Sequence, residues 1–106
     1  MKVIEVLSIY TMQLDADGRS QHTIKQAARH VGLLARFVGD RDIADLGHED
    51  VARFLVSAMA MRTSDGRVKR PGSTNALRST IRCFFAFACA AGYTSVDPAR
   101  LVRTRP

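Results

Sequence analysis

The chain contains no tryptophan, only two cysteines and three prolines, and ten acidic residues against sixteen basic ones. Each shortage removes a class of protein. Cys83 and Cys89 stand six residues apart in one helical pattern, roughly 9 Å at about 1.5 Å per residue, too far for a disulfide. Neither a CxxC nor a Cys/His pair at metal spacing occurs, so a disulfide scaffold and a zinc module drop out and both thiols are expected reduced. The three histidines are scattered, and His48-Glu49-Asp50, the one local cluster of possible ligands, points in different directions around a helix. No metal is expected. No apolar run reaches membrane-spanning length, and the apolar start MKVIEVLSIYTMQLD is interrupted by Glu5 and lacks a small-residue cleavage site. No glycine-rich phosphate loop and no Ser/His/Asp set is present, so neither a cofactor nor a small-molecule substrate is expected. Strand-like alternation, internal repeats and low-complexity segments are also missing. The chain is expected to be a soluble cytoplasmic protein without a membrane partner.

What remains is helical. At 106 residues and 46% hydrophobic, the chain is long enough for one core. The first helix is predicted from about Lys2 to Asp15, with Val3, Val6, Leu7, Tyr10 and Leu14 inward and a stop at Gly18. The second runs from Ser20 or Gln21 to Val38, with Gly39 as a left-handed cap. A short connection follows, anchored by Ile43 and Leu46. The third helix begins near His48 to Asp50, where acidic residues suit a helix N-terminus, and continues unbroken through Met61. Residues 63–72 are polar, with two glycines and a proline, and read as a loop. The fourth helix opens at Ser73 or Thr74, runs to Ala91 and is closed by Gly92. A brief helical turn is expected at Pro98–Val102. The fold class is therefore all-α, a compact orthogonal bundle of four main helices. Residues 1–102 form the domain and residues 103–106 begin a linker.

Thirteen of the sixteen cations are arginine, the side chain best suited to planar contacts with phosphate and guanine. On a wheel starting at Thr23, residues Ile24, Ala27, Ala28, Val31, Leu34, Ala35 and Val38 share an arc from about 20° to 140°. Lys25, Arg29 and Arg36 lie together at about 200° to 240°. Counted from Asn75, the fourth helix puts Leu77, Ile81, Phe84, Phe85 and Ala88 between about 180° and 280°, with Asn75, Arg78, Ser79 and Arg82 on the other side. From Arg62 to Arg82 there are six cations and only Asp65 against them. An ordinary solubilising surface intersperses the two signs; this one does not. Two helix starts, each with small polar residues and a basic stripe behind, offer free N–H groups and cations to an anionic polymer.

The order of these pieces resembles the N-terminal core-binding, SAM-like domain of tyrosine recombinases and phage integrases. The resemblance rests on Ser20-x-x-Thr23-Ile24 after a Gly-Arg-Ser break, Phe37-Val38-Gly39, Ile43-x-x-Leu46 and Glu49-Asp50-Val51-x-x-Phe54-Leu55. Its most specific stretch is Ser73-x-Asn75-x-x-Arg78-Ser79-x-Ile81-Arg82-x-Phe84-Phe85-x-Phe87-Ala88, followed by Gly92-Tyr93 and Asp97-Pro98-Ala99. It implies one half of a C-shaped clamp on double-stranded DNA at a recombination site. Helices two and four would approach the major groove, and the first helix would contact neighbouring recombinase protomers. Carried onto this chain, the DNA-facing residues are Ser20, Gln21, His22, Thr23, Lys25 and Arg29, with Arg19 just before the cap. From the other side come Asn75, Arg78, Ser79 and Arg82, with Lys69 and Arg70 from the loop and Ser73 and Thr74 at the helix opening. The chain departs from the family at Ala27, often a tyrosine there, which bears on local packing.

The resemblance also places the catalytic Arg, His-x-x-Arg and nucleophilic Tyr beyond the linker. Tyr10 is read as core or surface of the first helix and Tyr93 as a contact at the end of the fourth. The domain is expected to bind without cutting, in a prokaryotic cytoplasm, associated with the nucleoid when on DNA. Two rivals are a helical protein-interaction module, supported by Met12, Met59, Met61 and the apolar first helix, and a stand-alone helix-turn-helix regulator. The segregated charge argues against the first and the long loop before the fourth helix against the second.

Overall fold

A computed structural model describes residues 1–105. It consists of α1 (Val3–Ala16), α2 (Gln21–Val38), a 3-10 turn (Ile43–Asp45), α3 (His48–Val56), α4 (Ala58–Met61) and α5 (Pro71–Ala90). The expected fourth helix is α5. Among the described residues there is no strand, only two isolated antiparallel bridges.

The inward stripes read from the sequence form one core. Leu34, Phe54, Leu77, Ile81, Phe84 and Phe85 are almost fully buried, joined by Val3, Val6 and Tyr10 from α1. Aromatic edges knit α1 to α5: the Tyr10 ring lies 5.6 Å from Phe84 and 5.1 Å from Phe87, within the range where edge-on pairs add to burial. Phe37 of α2 meets Phe54 of α3 at 5.5 Å. Tyr93 packs on Phe87 at 6.3 Å. Burial raises the Tyr10 phenol above its ordinary pKa, so that oxygen stays protonated at neutral pH.

The α1–α2 connection is short because Gly18 permits it. Its φ of 73° is the left-handed conformation, and the amides of Gly18 and Arg19 return to the carbonyls of Asp15 and Leu14 at 3.0 Å each. That pair of bonds ends α1 and launches Arg19 straight into Ser20. Gly39 also has positive φ, but its ψ of −134° is not the left-handed helical cap expected. It redirects the chain toward the 3-10 turn.

Three boundaries differ from the sequence reading. The third helix is not continuous: Ser57, with ψ of 158°, leaves helical geometry and its hydroxyl accepts the Ala60 amide to start α4. Nothing in the hydrophobic pattern of 51–61 marks that break. α5 begins at Pro71, before Ser73, because Pro at the first position needs no N–H partner and has its φ preset. The end of the chain forms turns, not helix, at Pro98–Leu101, fastened where Asp97 accepts the Ala99 amide at 2.9 Å.

Residues 63–70 are a structured hairpin. Arg62 and Val68 bridge, Thr63 and Lys69 donate their amides to Arg67 and Met61 carbonyls at 2.8 Å, and Gly66 turns the corner. Arg62 donates to the Gly66 carbonyl at 2.8 Å and Arg67 pairs with Asp65 at 2.8 Å. These two cations are therefore engaged in the turn, whereas Lys69 emerges from it toward α2.

Candidate nucleic-acid interface

The start of α2 is built as its sequence implies. Ser20 is extended, and its Oγ accepts the Thr23 amide at 3.2 Å and shares a 3.1 Å hydrogen bond with the Thr23 hydroxyl. The two hydroxyls are thus occupied in the cap. The amides of Gln21 and His22 have no partner among the described residues, and their side chains are exposed, as are those of Arg19, Lys25 and Arg29. Unpaired N–H groups at a positive helix end, ringed by cations, favour an anion.

The start of α5 differs. Arg70 caps it through its carbonyl, which accepts from Ser73 and Thr74 at 3.0 and 3.2 Å. Thr74 is buried, and its hydroxyl donates to the Pro71 carbonyl at 2.9 Å. It faces the core, so its expected place on the surface is corrected. Ser73, Ser79 and Arg82 are exposed. Asn75 and Arg78 are half-buried, because the chain beyond Val102 folds back over them. Asn75 donates to the Arg105 carbonyl at 2.9 Å and accepts the Arg105 amide at 2.7 Å, and Arg78 donates to the Arg103 carbonyl at 3.1 Å. Burial under this strap, then the Arg105 charge, lowers the Arg78 pKa from its ordinary value. Residues 103–105 therefore lie on α5; Pro106, also assigned to the expected linker, lies outside the described residues.

The electrostatic layout was only half readable from the sequence. Ion pairs among the described residues engage Lys2, Arg41, Arg53 and Arg67. The other twelve lysines and arginines, including every candidate cation, have no carboxylate within ion-pair distance among the described residues. Five of the ten acids, Asp40, Asp42, Asp45, Glu49 and Asp50, lie around α3 and the 3-10 turn. Asp50 accepts the Gly47 amide at 2.9 Å and pairs with Arg41 at 2.7 Å and Arg53 at 3.1 Å. The hydrogen bond from Arg41 is the first cause of its lowered pKa.

One residue went unassigned in the sequence reading. His30 lies at the margin of the α2 core stripe, is 4% exposed, and its Nδ1 is 2.9 Å from the Thr80 hydroxyl of α5. Burial, then Arg29 and Lys69, lowers its pKa from 6.5 to about 4. It joins the two basic helices from inside. Ala28, expected inward, is exposed at the edge of its arc. Ala27 is buried and lines a cleft of about 330 Å³ with Tyr10 and Leu14 beneath Arg19, Thr23 and Ser79, the space where a larger residue would sit.

Among the described residues no three His, Cys, Asp or Glu side chains converge as metal ligands, and no helix is long and apolar enough to cross a membrane. A family model described as phage integrase, N-terminal SAM-like domain, matches residues 8–92. Among solved structures, the fold is similar to a lambda integrase (75-356) dimer bound to a COC′ core site. The TM-score is 0.77 at 21% identity, covering 100% of this chain and 36% of that one. At that identity the likeness speaks for the fold, and this chain spans about a third of the length of that solved chain. No curated protein sequence matches.

Proposed function

The chain belongs to the phage integrase N-terminal, SAM-like domain family, and on that premise we propose that it grips duplex DNA at the core site of a tyrosine recombinase through α2 and α5. The observation that carries this reading is the twelve cations with no carboxylate partner among the described residues, seven of which lie just before α2 and α5 or along their first twelve residues. Arg19, Lys25 and Arg29 address the backbone from α2, with the Gln21 and His22 amides open to a phosphate. Lys69 and Arg70 enter from the hairpin, Ser79 and Arg82 are exposed on α5, and Asn75 and Arg78 join them where DNA displaces residues 103–105, together forming the face able to read base edges.

The N-terminal SAM-like part of an integrase is not its catalytic part. In this reading the domain holds DNA while strand cleavage belongs to residues outside 1–105, to which 103–106 lead as a linker. Exposed Ile4 and Met12 on α1 support a contact with a neighbouring protomer on the same DNA.

The test is anisotropy of labelled duplex over a range of salt. Contact with five phosphates gives a slope of log affinity against log salt of about −4.5. Salt-insensitive association, or none at low ionic strength, sinks the reading.

A further inference from the structure

Between the middle of α2, the hairpin and the first turns of α5 lies a cleft of about 210 Å³, walled by Gln26, Arg29, His30, Thr63, Lys69 and Ser73. Three separate stretches of chain meet there and none contributes a carboxylate. Arg29 and Lys69 have no ion-pair partner among the described residues. The Lys69 ammonium is held below its ordinary pKa, first by burial and then by Arg29. A partly buried ammonium beside a second cation destabilises the free chain. Lys69 is kept there by its backbone, since its amide is tied to Met61 at 2.8 Å.

The cleft also holds an unpartnered nitrogen. Thr80 commits its hydroxyl proton to the Ala76 carbonyl at 3.0 Å, so the bond to His30 has Nδ1 as donor. Nε2 is then the ring nitrogen with no protein partner among the described residues, it keeps contact with solvent, and the His30 side chain lines the cleft.

We propose that this cleft seats one tetrahedral oxyanion, a backbone phosphodiester of bound duplex DNA, between Arg29 and Lys69, with Ser73 and Gln26 as neutral donors and His30 as the wall behind. The proposal rests on the DNA reading above and adds a residue, His30, and a stoichiometry to it. The phosphate supplies the charge the cleft lacks, and the guanidinium fork can take two of its oxygens. The charged groups facing His30 are Arg29 from α2 and Lys69 from the hairpin; α5 offers neutral Ser73 and Thr80. An anion among them stabilises the imidazolium, which turns Nε2 into a further donor.

The test uses the whole chain with a short duplex and, separately, with inorganic phosphate. Because both cations serve one phosphate, the double variant Arg29→Gln/Lys69→Gln reduces the steepness of the salt slope by about 0.9. A reduction of about 1.8 means two separate phosphates and overturns the shared seat. Lys69→Gln alone raises the thermal midpoint of the free chain while weakening duplex binding, a pairing that a purely structural lysine does not produce; a lowered midpoint overturns the proposal. The His30 imidazole, followed by NMR, titrates higher in the duplex complex than its value of about 4 in the free chain. If inorganic phosphate binds the cleft but the double variant keeps the full duplex slope, the seat serves free phosphate and the proposal fails. If that slope is unchanged while Arg78→Glu/Arg82→Glu abolishes binding, the DNA reading stands and only the cleft falls. No duplex binding by the wild type removes both.

Discussion

The two basic helix starts are alike in sequence and unlike in structure. α2 opens with an extended cap, two unpartnered amides and exposed cations, ready for an anion as folded. α5 opens on a proline, turns Thr74 inward and has Asn75 and Arg78 hydrogen-bonded to backbone groups of Arg103 and Arg105. The lesson is that a polar helix face does not declare whether it is free. The same donors that suit phosphate or base edges also suit a peptide carbonyl, and here the chain itself supplies one.

The most severe way to break the comparison is to invert the charge of α5. Arg78→Glu with Arg82→Glu is expected to lower duplex affinity by about a hundredfold or more, since two cations that attract the DNA become anions that repel it. The circular dichroism of the helices should stay unchanged. Binding at wild-type strength would show that α5 is not the grip.

Next in size is the link between the halves. The folded-state pKa of His30 lies near 4, below the unfolded 6.5, so the unfolded chain binds a proton that the folded one refuses. Stability is then full above about pH 6.5 and declines as pH falls toward 4, by up to about 3 kcal/mol. Urea denaturation at several pH values measures it. His30→Gln, which keeps a donor toward Thr80, should flatten that decline; an unchanged pH profile assigns the acid sensitivity elsewhere.

On the α2 side, Lys25→Ala with His22→Ala should reduce the steepness of the salt slope by about 0.9 and weaken all duplexes alike. A loss confined to one sequence would move base readout from α5 to α2.

The smallest effect sharpens the contrast most. The strap uses backbone atoms of residues 103 and 105, so Arg103→Gln/Arg105→Gln removes charge and keeps it, whereas deleting residues 103–106 removes both. The deletion is expected to bind duplex more tightly than the double-Gln chain, by roughly fivefold, the equivalent of about 1 kcal/mol for a few exposed hydrogen bonds. Equal affinities would mean that the strap and DNA do not compete.

Legibility in the sequence followed the range of the forces. Caps and stripes are local: Ser20, the stop at Gly18 and the inward row from Leu77 to Ala88 were all visible in spacing alone. The Ser57 break was not, because Val51 to Met61 keeps a helical pattern across it. Pro71 was read as loop, yet its lack of an N–H suits the first helical position, and this moved Thr74 from cap to interior. The remaining misses join distant residues. His30 to Thr80, Asn75 to Arg105 and Arg78 to Arg103 span fifty, thirty and twenty-five positions, and no window of sequence registers a partner so far away. The basic faces themselves were legible; the pairing of Glu49 and Asp50 with Arg41 and Arg53 was not.

The His30–Thr80 bond also acts as a ruler. Apolar side chains along α2 and α5 would tolerate small slips past one another, since dispersion contacts are numerous and undirected. A buried donor with a single acceptor admits one alignment and leaves every other with an unsatisfied imidazole. The alignment of α2 against α5, and with it the spacing of the cations they carry, is therefore set in the interior of the domain.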